Sequence, residues 1–340
     1  MFSIFHKNIP TLDIYFRAPL KALIAEGPFL FSKQPIKRLG PNSFFANGQV
    51  VIIRYITTPE LNKIRALKPK RCFYLIDDDL EALASDTSLP EDYRKRLMQF
   101  ASQHLPEILA LADTVIAPNE QIFKAYPGKT HLLLNPSYSA LCQDFSHFDD
   151  TSTINILFSG TRSHLNDLLL ISDTMVDICR QHPHVRFTTF MGGHAPDNLK
   201  GFENIEHRKA KSWDSFKHVL CNERFHIALA PYQDTKFNSA RSINKLLDHA
   251  ALGAAGLYSN RLPFLDIIKH GKNGLLINDN HQDWHNAIES LISDIKTSRH
   301  LAENGALLAA KLGDLEHVRS FWMDKLLYSS QKGFRVGETD

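Results

Sequence analysis

The chain has 340 residues, enough for two ordinary domains with a core each. Its 43% hydrophobic and 22% charged residues are those of a globular protein in water, and 39 basic against 37 acidic residues leave a net charge of +2. That near balance, with no basic stripe interleaved with aromatics, argues against a dedicated nucleic-acid binder, and the separated Cys72, Cys142, Cys179 and Cys221 suggest neither a disulfide framework nor a zinc site.

The N-terminal stretch "MFSIFHKNIPTLDIYF" lacks the charged start and apolar core of a signal peptide, and no run of 18 apolar residues occurs. A cytoplasmic protein is expected, touching the inner face of a membrane peripherally at most. In the first half, "QVVIIRYI" (49–56), "RCFYLI" (71–76), "DTVIAP" (113–118) and "THLLLN" (130–135) read as buried strands, with helical patterns over 91–111 and after Pro118. Residues 141–153 are polar and aperiodic and are expected to be a linker. The alternation then restarts, with strands at 153–160, 185–193, 204–208, 226–232 and 254–259 and helices at 165–181, 212–222 and 239–252. From 282 to 329 the pattern is helical, with Trp284, Ile288, Leu291 and Ile292 on one stripe. The fold class expected is α/β, with two Rossmann-like doubly wound domains facing across a cleft: 1–145, 153–315, and a C-terminal stretch 316–340. That last stretch either returns to the first domain as a helix or offers its aromatics to a membrane.

Chemistry is expected where strands end in glycine or polar residues. "SGTRSHLNDL" (159–168) comes directly after a buried strand: Gly160 permits a sharp turn, the next N–H groups can cradle an anion, and Arg162 and His164 add donors. An ordinary turn capped by Ser163 or Asn166 explains the same residues. In "NSARSINKLLDHAALGAAGLYSN" (238–260), Ile243, Leu246, Leu247, Ala250 and Ala251 define a buried face, and Arg241, Ser242, Lys245, Asp248 and His249 the other. With Asn238 or Ser239 as N-cap, two cations and the Ser242 hydroxyl would crowd the end where the helix dipole is already positive, which suits a diphosphate better than a solvated face. Asp248 lies six residues past Ser242, roughly 9 Å along the axis, so it could reach sugar hydroxyls. Gly253 and Gly256 read as a helix C-cap and a close strand contact. In "YLIDDDLEAL" (74–83), one carboxylate can cap the next helix while the others are solvated, or else bind a cation or sugar hydroxyls. The connection "PYQDTKFN" (231–238) is either a surface loop or a rim from which Asp234, Lys236 and Asn238 reach a ligand. No G-x-S-x-G, P-loop or G-x-G-x-x-G occurs.

Together these segments resemble retaining glycosyltransferases of the GT-B fold in the family-four-like group (glycosyl transferases group 1). "HIALAPYQDTKFNSARSINKLLDHAALGAAGLYSN" followed by "IIKHGKNGLLINDN" is similar to that family's donor-binding region. "SGTRSHLND", "YLIDDDL" and "LADTVIAPNEQIFKAY" resemble further segments of one of its variants, so that the likeness spans residues 50 to 300. The resemblance implies a hexosyltransferase of polysaccharide biosynthesis that needs no cofactor and no obligatory metal. A nucleoside-diphosphate sugar would be held by the C-terminal domain, with a saccharide or glycolipid acceptor met by the N-terminal one. By position, Asp248 matches the carboxylate on the nucleotide ribose, Arg241, Ser242 and Lys245 the diphosphate segment, and Gly160 and Thr161 the turn that faces it. Arg162 and Asn238 would stand beside the donor, and Asp78 or His164 is the candidate for the acceptor proton. The chain departs from the family at Asp248, where Glu is usual, and at Ala240, where the first Glu of an E-x7-E pattern would fall. An epimerase or phosphorylase of the same fold and a non-catalytic sugar-binding or nucleotide-binding protein are the alternatives.

Overall fold

A computed structural model describes residues 9–25, 33–85, 89 and 91–328; the extreme N-terminus and positions 329–340 of the expected C-terminal helix lie outside them. The chain divides into two compact units, one of Met1–Ala84, Lys95–Ser139 and Asp314–Asp340, the other of Ser85–Arg94 and Ala140–Gly313.

The first unit carries a six-stranded sheet in sequential order: β1 (Lys37–Gly40), β2 (Ser43–Ala46), β3 (Gln49–Ile53), β4 (Arg71–Leu75), β5 (Thr114–Ala117) and β6 (Thr130–Leu133). β3 to β6 run parallel, as the strand and helix alternation predicts, and every residue of β3 and β5 is buried. Two antiparallel strands that the hydrophobic pattern does not suggest precede them. β2 and β3 are joined at Asn47–Gly48, both with positive φ (49° and 80°), the two-residue turn whose twist matches its strands. The helix expected over 91–111 is two, Glu91–Gln103 and Leu105–Leu111, because Pro106 has no N–H to continue the first and fits the opening of the second.

The helix Leu315–Met323 belongs to this unit. Trp322 is fully buried, donates its indole N–H to the Tyr15 carbonyl at 2.6 Å and sets its ring edge-on to Phe16 and Phe73. This aromatic side chain is therefore core, not a membrane-facing group. Among the described residues no helix is long and apolar enough to cross a membrane.

The second unit has an all-parallel sheet of β7 (Ile154–Phe158), β8 (Val185–Thr189), β9 (Ile205–His207), β10 (Ile227–Ala230), β11 (Ala255–Ser259) and β12 (Leu275–Ile277). Their order, β12-β11-β10-β7-β8-β9, is doubly wound, with the winding reversed between β7 and β10. The stripe Trp284, Ile288 and Leu291 of the helix His281–Ser293 enters the core beside Ile156, Phe187 and Leu257. Gly256 is required there, because a Cβ would stand 2.2 Å from the Tyr258 hydroxyl, and Gly253, at φ +70°, ends the helix before β11. Residues 141–153 are not a linker: the Cys142 N–H donates to the Ala250 carbonyl at 3.1 Å, and Phe148, 3% exposed, joins the core.

Candidate active site

An open parallel sheet offers a ligand the carboxyl ends of its strands where the winding reverses. In the second unit that place is flanked by Ser159, Gly160 and Thr161 after β7 and by residues 231–235 after β10. Gly160 is needed sterically, since a Cβ would stand 2.4 Å from the Phe158 ring and 2.7 Å from the His164 Cβ. Beyond Thr161 the chain makes a single 3-10 turn, Arg162–His164, then the short helix Leu165–Leu169; the long helix expected over 165–181 breaks, and its remainder is Ser172–Gln181. Thr161 is extended and half-buried, and Arg162 is exposed. Neither Ser163 nor Asn166 provides a side-chain cap at the start of these elements.

Asp167, which the residue pattern does not single out, ties the two strand ends together. Its Oδ2 faces His164 Nδ1 at 2.9 Å, and its Oδ1 accepts from the Gln233 N–H at 2.9 Å and from the Asn238 side-chain amide at 3.0 Å. Burial works against its charge, but the hydrogen bonds from His164 and Gln233, with the positive charge nearby, including Arg241, outweigh burial and hold its carboxyl below the usual range. His164 moves the other way from an ordinary histidine: burial, with the Arg241 charge, lowers its pKa to about 4. Near neutral pH the imidazole is therefore uncharged. A carboxylate can only accept, so Nδ1 carries the hydrogen and Nε2 keeps a lone pair.

The helix expected over 239–252 starts later. Thr235 caps a separate short helix, Lys236–Ser239, while the Asn238 amide, drawn to Asp167 and to the Gln233 carbonyl, caps nothing. The chain turns through residues 240–243, and the helix proper is Asn244–Ala251, with Ile243 at its N-cap. Arg241 and Ser242 thus precede the helix, the Ser242 hydroxyl accepting from the Asn244 N–H at 3.4 Å, and of the three residues matched to a diphosphate only Lys245 stands in its first turn. Arg241 lies over the rings of Phe237 and Tyr232, 4.9 and 5.7 Å from their centroids.

The face of this helix read as polar is enclosed: Lys245, Asp248 and His249 are 8%, 6% and 1% exposed. The Lys245 ammonium donates to the Ser159 hydroxyl at 2.7 Å and faces the Asp248 carboxylate at 3.8 Å. Burial lowers its pKa, and Asp248 opposes the shift. His249, kept neutral by burial, places Nδ1 3.1 Å from the Tyr258 hydroxyl. The connection after β10 is anchored on the far side as well, by the Tyr232 N–H on Ser259 Oγ at 2.8 Å and by Arg261 reaching Asp234 at 3.6 Å. The structure thus joins Lys245 to Ser159 beside Gly160, and His164 and Asn238 to Asp167, at adjacent strand ends.

Asp78 stands elsewhere, in the first unit. Asp77 and Asp78 both receive the Arg54 guanidinium, Asp77 at 2.9 Å, and Asp77 also accepts from the Thr11 hydroxyl at 2.6 Å. Burial raises the Asp77 pKa and Arg54 counters it. Asp79 caps the next helix, accepting from the N–H groups of Glu81 and Ala82 at 3.1 and 3.0 Å. Of the readings open for this triad, the cap holds for Asp79, and the other two carboxylates have a cation from their own chain.

No protein-family model matches the chain, and no curated protein sequence matches it. Solved structures do. The chain is similar to sucrose-phosphate synthase from Thermosynechococcus elongatus, with a TM-score of 0.58 and 13% identity over 84% of this chain and 74% of that one. It is similar to HepE from Anabaena, solved in complex with UDP and glucose, with a TM-score of 0.57 and 13% identity over 82% and 78%. A protein from Listeria monocytogenes assigned as a UDP-N-acetylglucosamine 2-epimerase gives 0.50 and 12% over 86% and 77%. At such identities the likeness shows the fold: two Rossmann-like α/β units in one chain, the plan of the GT-B enzymes.

Proposed function

We propose that the chain is a glycosyltransferase that moves a sugar from a nucleoside-diphosphate sugar to a saccharide or glycolipid acceptor with retention at the anomeric carbon, as in the family-four-like group. The observation that carries this reading is Lys245, an enclosed ammonium held 2.7 Å from the hydroxyl that ends β7, at the point where the sheet reverses its winding. A cation withdrawn from water at a strand-end crevice favours an anionic ligand, and a diphosphate would add its charge to that of Asp248.

In the transfer, the bond from the anomeric carbon to the diphosphate oxygen breaks, and that oxygen gains negative charge. The groups proposed to meet that charge are Lys245, the N–H groups of the Gly160 and Thr161 turn, and the Arg241 and Arg162 guanidiniums, which would lower the barrier by stabilising it. Ser242 and Asn238 would hold the donor and Asp248 the ribose. The acceptor hydroxyl's proton leaves either to the departing phosphate or to His164, whose Nδ1 is turned to Asp167 and whose Nε2 is free of a proton. Asp78, engaged by Arg54, is the weaker base. No step needs a metal or a cofactor.

Ala240 favours a second reading. Where the resemblance would place a carboxylate at the donor, the chain has a methyl group, 1% exposed. A protein that binds the nucleotide sugar without transferring it fits that residue, and an epimerase of the same fold is a third reading. Incubation with a panel of nucleotide sugars and saccharide acceptors separates the three. Transfer yields a new glycosidic bond of the donor's anomeric configuration, seen by NMR. A changed donor sugar without acceptor means an epimerase, and nucleotide binding with neither product means a binding protein.

A further inference from the structure

Both faces of a doubly wound parallel sheet are normally covered, so its strands read as nearly continuous apolar runs. β7, β8 and β9 depart from that. Ile154, Ile156, Val185, Phe187 and Ile205 all enter the core on one face. On the alternate positions Asn155 lies beside Arg186, and Thr188 stands between Leu157 and Glu206. The connection from β8 to β9 consists of two 3-10 turns, Gly192–His194 and Asp197–Leu199, where a covering helix would be expected. Residues 223–225, leading into β10, wall the other side. The result is a pocket of about 340 Å³ over this half of the sheet, lined by Asn155, Arg186, Thr188, Glu203, Arg208 and Arg224 among others. Its size falls at the lower end of the range of small-molecule sites, about 300–1,000 Å³. It opens near the amino-terminal ends of β7 and β8, whereas Ser159 and Lys245 stand at the carboxyl end of β7.

The lining limits what can bind. Arg186, Arg208 and Arg224 are balanced by Glu203, Glu206 and Glu223, so neither a polyanion nor a polycation is favoured. The Arg208 guanidinium is already engaged by Glu206 at 2.8 Å and by Glu223 at 2.5 Å, which fixes those three groups as a wall. Phe187 and Phe225, 0% and 3% exposed, offer no ring face on which a nucleobase could stack. The Asn204 amide donates to the Cys179 and Val185 carbonyls at 2.9 and 3.1 Å, which turns its oxygen into a fixed acceptor. What suits a charge-balanced surface of forked donors and acceptors is a neutral ligand dense in hydroxyl groups, each pair of neighbouring hydroxyls meeting a guanidinium, carboxylate or amide edge.

We infer that this pocket is a saccharide-binding site separate from the strand-end crevice. It would hold a sugar unit that is not itself reacting. The assignment rests on the sheet face alone and does not depend on transfer activity.

Saturation-transfer NMR on the full chain tests it, with glucose, N-acetylglucosamine and maltotriose as probes, alone and with UDP or inorganic phosphate added. Arg186 and Glu203 are exposed, so Arg186→Ala with Glu203→Ala leaves the fold in place, which an unchanged melting temperature verifies. The expected result is transfer to at least one of the sugars that persists with UDP, with phosphate and in Lys245→Ala, and an affinity at least about tenfold weaker in the double variant. No transfer to any of the three sugars overturns the assignment. So does transfer that the double variant leaves unchanged, or that phosphate or UDP abolishes. Failure of nucleotide binding would bear on the proposed transferase and leave this result standing.

Discussion

An ammonium taken out of water needs charge or several good acceptors around it, and Lys245 has a hydroxyl at 2.7 Å and a carboxylate at 3.8 Å. That pair sits where a parallel sheet receives ligands, so an incoming anion would add to the partners Lys245 already has. Asp167 is the opposite case. It is fully engaged, with donors from His164, Gln233 and Asn238, and so sets the positions of the groups around it. Asp167→Ala would leave His164 Nδ1 and the Gln233 N–H without their acceptor and the Asn238 amide with the Gln233 carbonyl alone, and is expected to cost on the order of 3 kcal/mol, read as a lower urea midpoint at unchanged slope. A variant as stable as the parent would remove Asp167 from the centre of the site. The sequence carries only one signal for it, the i, i+3 spacing from His164 that lets two side chains meet on a helical turn, and that spacing alone does not mark a site. What one sequence does not show is the longer reach to Gln233 and Asn238, which exists only once β7 and β10 are neighbours.

Among the elements, strands are more legible than helix boundaries. β7 to β11 all fall within expected segments because each is a short apolar run bounded by turn residues, and β12 escapes because "GLLI" is too short to show a period. The Asn47–Gly48 hairpin carries its own signal, overshadowed by the stronger apolar run after it. The late start of the helix Asn244–Ala251 has no local signal, because Asn238 is a good cap and is withdrawn by a residue distant in the chain, Asp167. The sequence pattern therefore sets the cations at 241 and 245 in one helical turn, where the structure separates them into a loop and a helix. At the C-terminus, Trp322 fastens the helix Leu315–Met323 to the first unit through Tyr15, Phe16 and Phe73. Trp322→Ala is expected to destabilise that unit by about 3–5 kcal/mol in chemical denaturation, through the cavity and the orphaned carbonyl. A loss below about 1 kcal/mol would mean that the helix is held by other contacts.

At the scale of the whole molecule, the two units should respond differently to acid. His147 and His164, both in the second unit, have their pKa values lowered by burial from 6.5 to about 4, and His226 and His249 are lowered too. Between pH 6.5 and 4 the unfolded chain therefore binds more protons than the folded one, so stability held above pH 6.5 is lost as the pH falls. The melting temperature of the second unit is expected to drop by about 5 °C between pH 7 and pH 5, measured by calorimetry. A flat profile would mean that these histidines are not held neutral. Isothermal titration of a panel of nucleoside diphosphates into the parent protein and into Lys245→Ala tests whether the strand-end crevice of this unit holds a nucleoside diphosphate through Lys245. At least one member is expected to bind the parent, and the variant, still folded, to bind it at least about tenfold more weakly. No binding by the parent, or equal affinity in the folded variant, would contradict it.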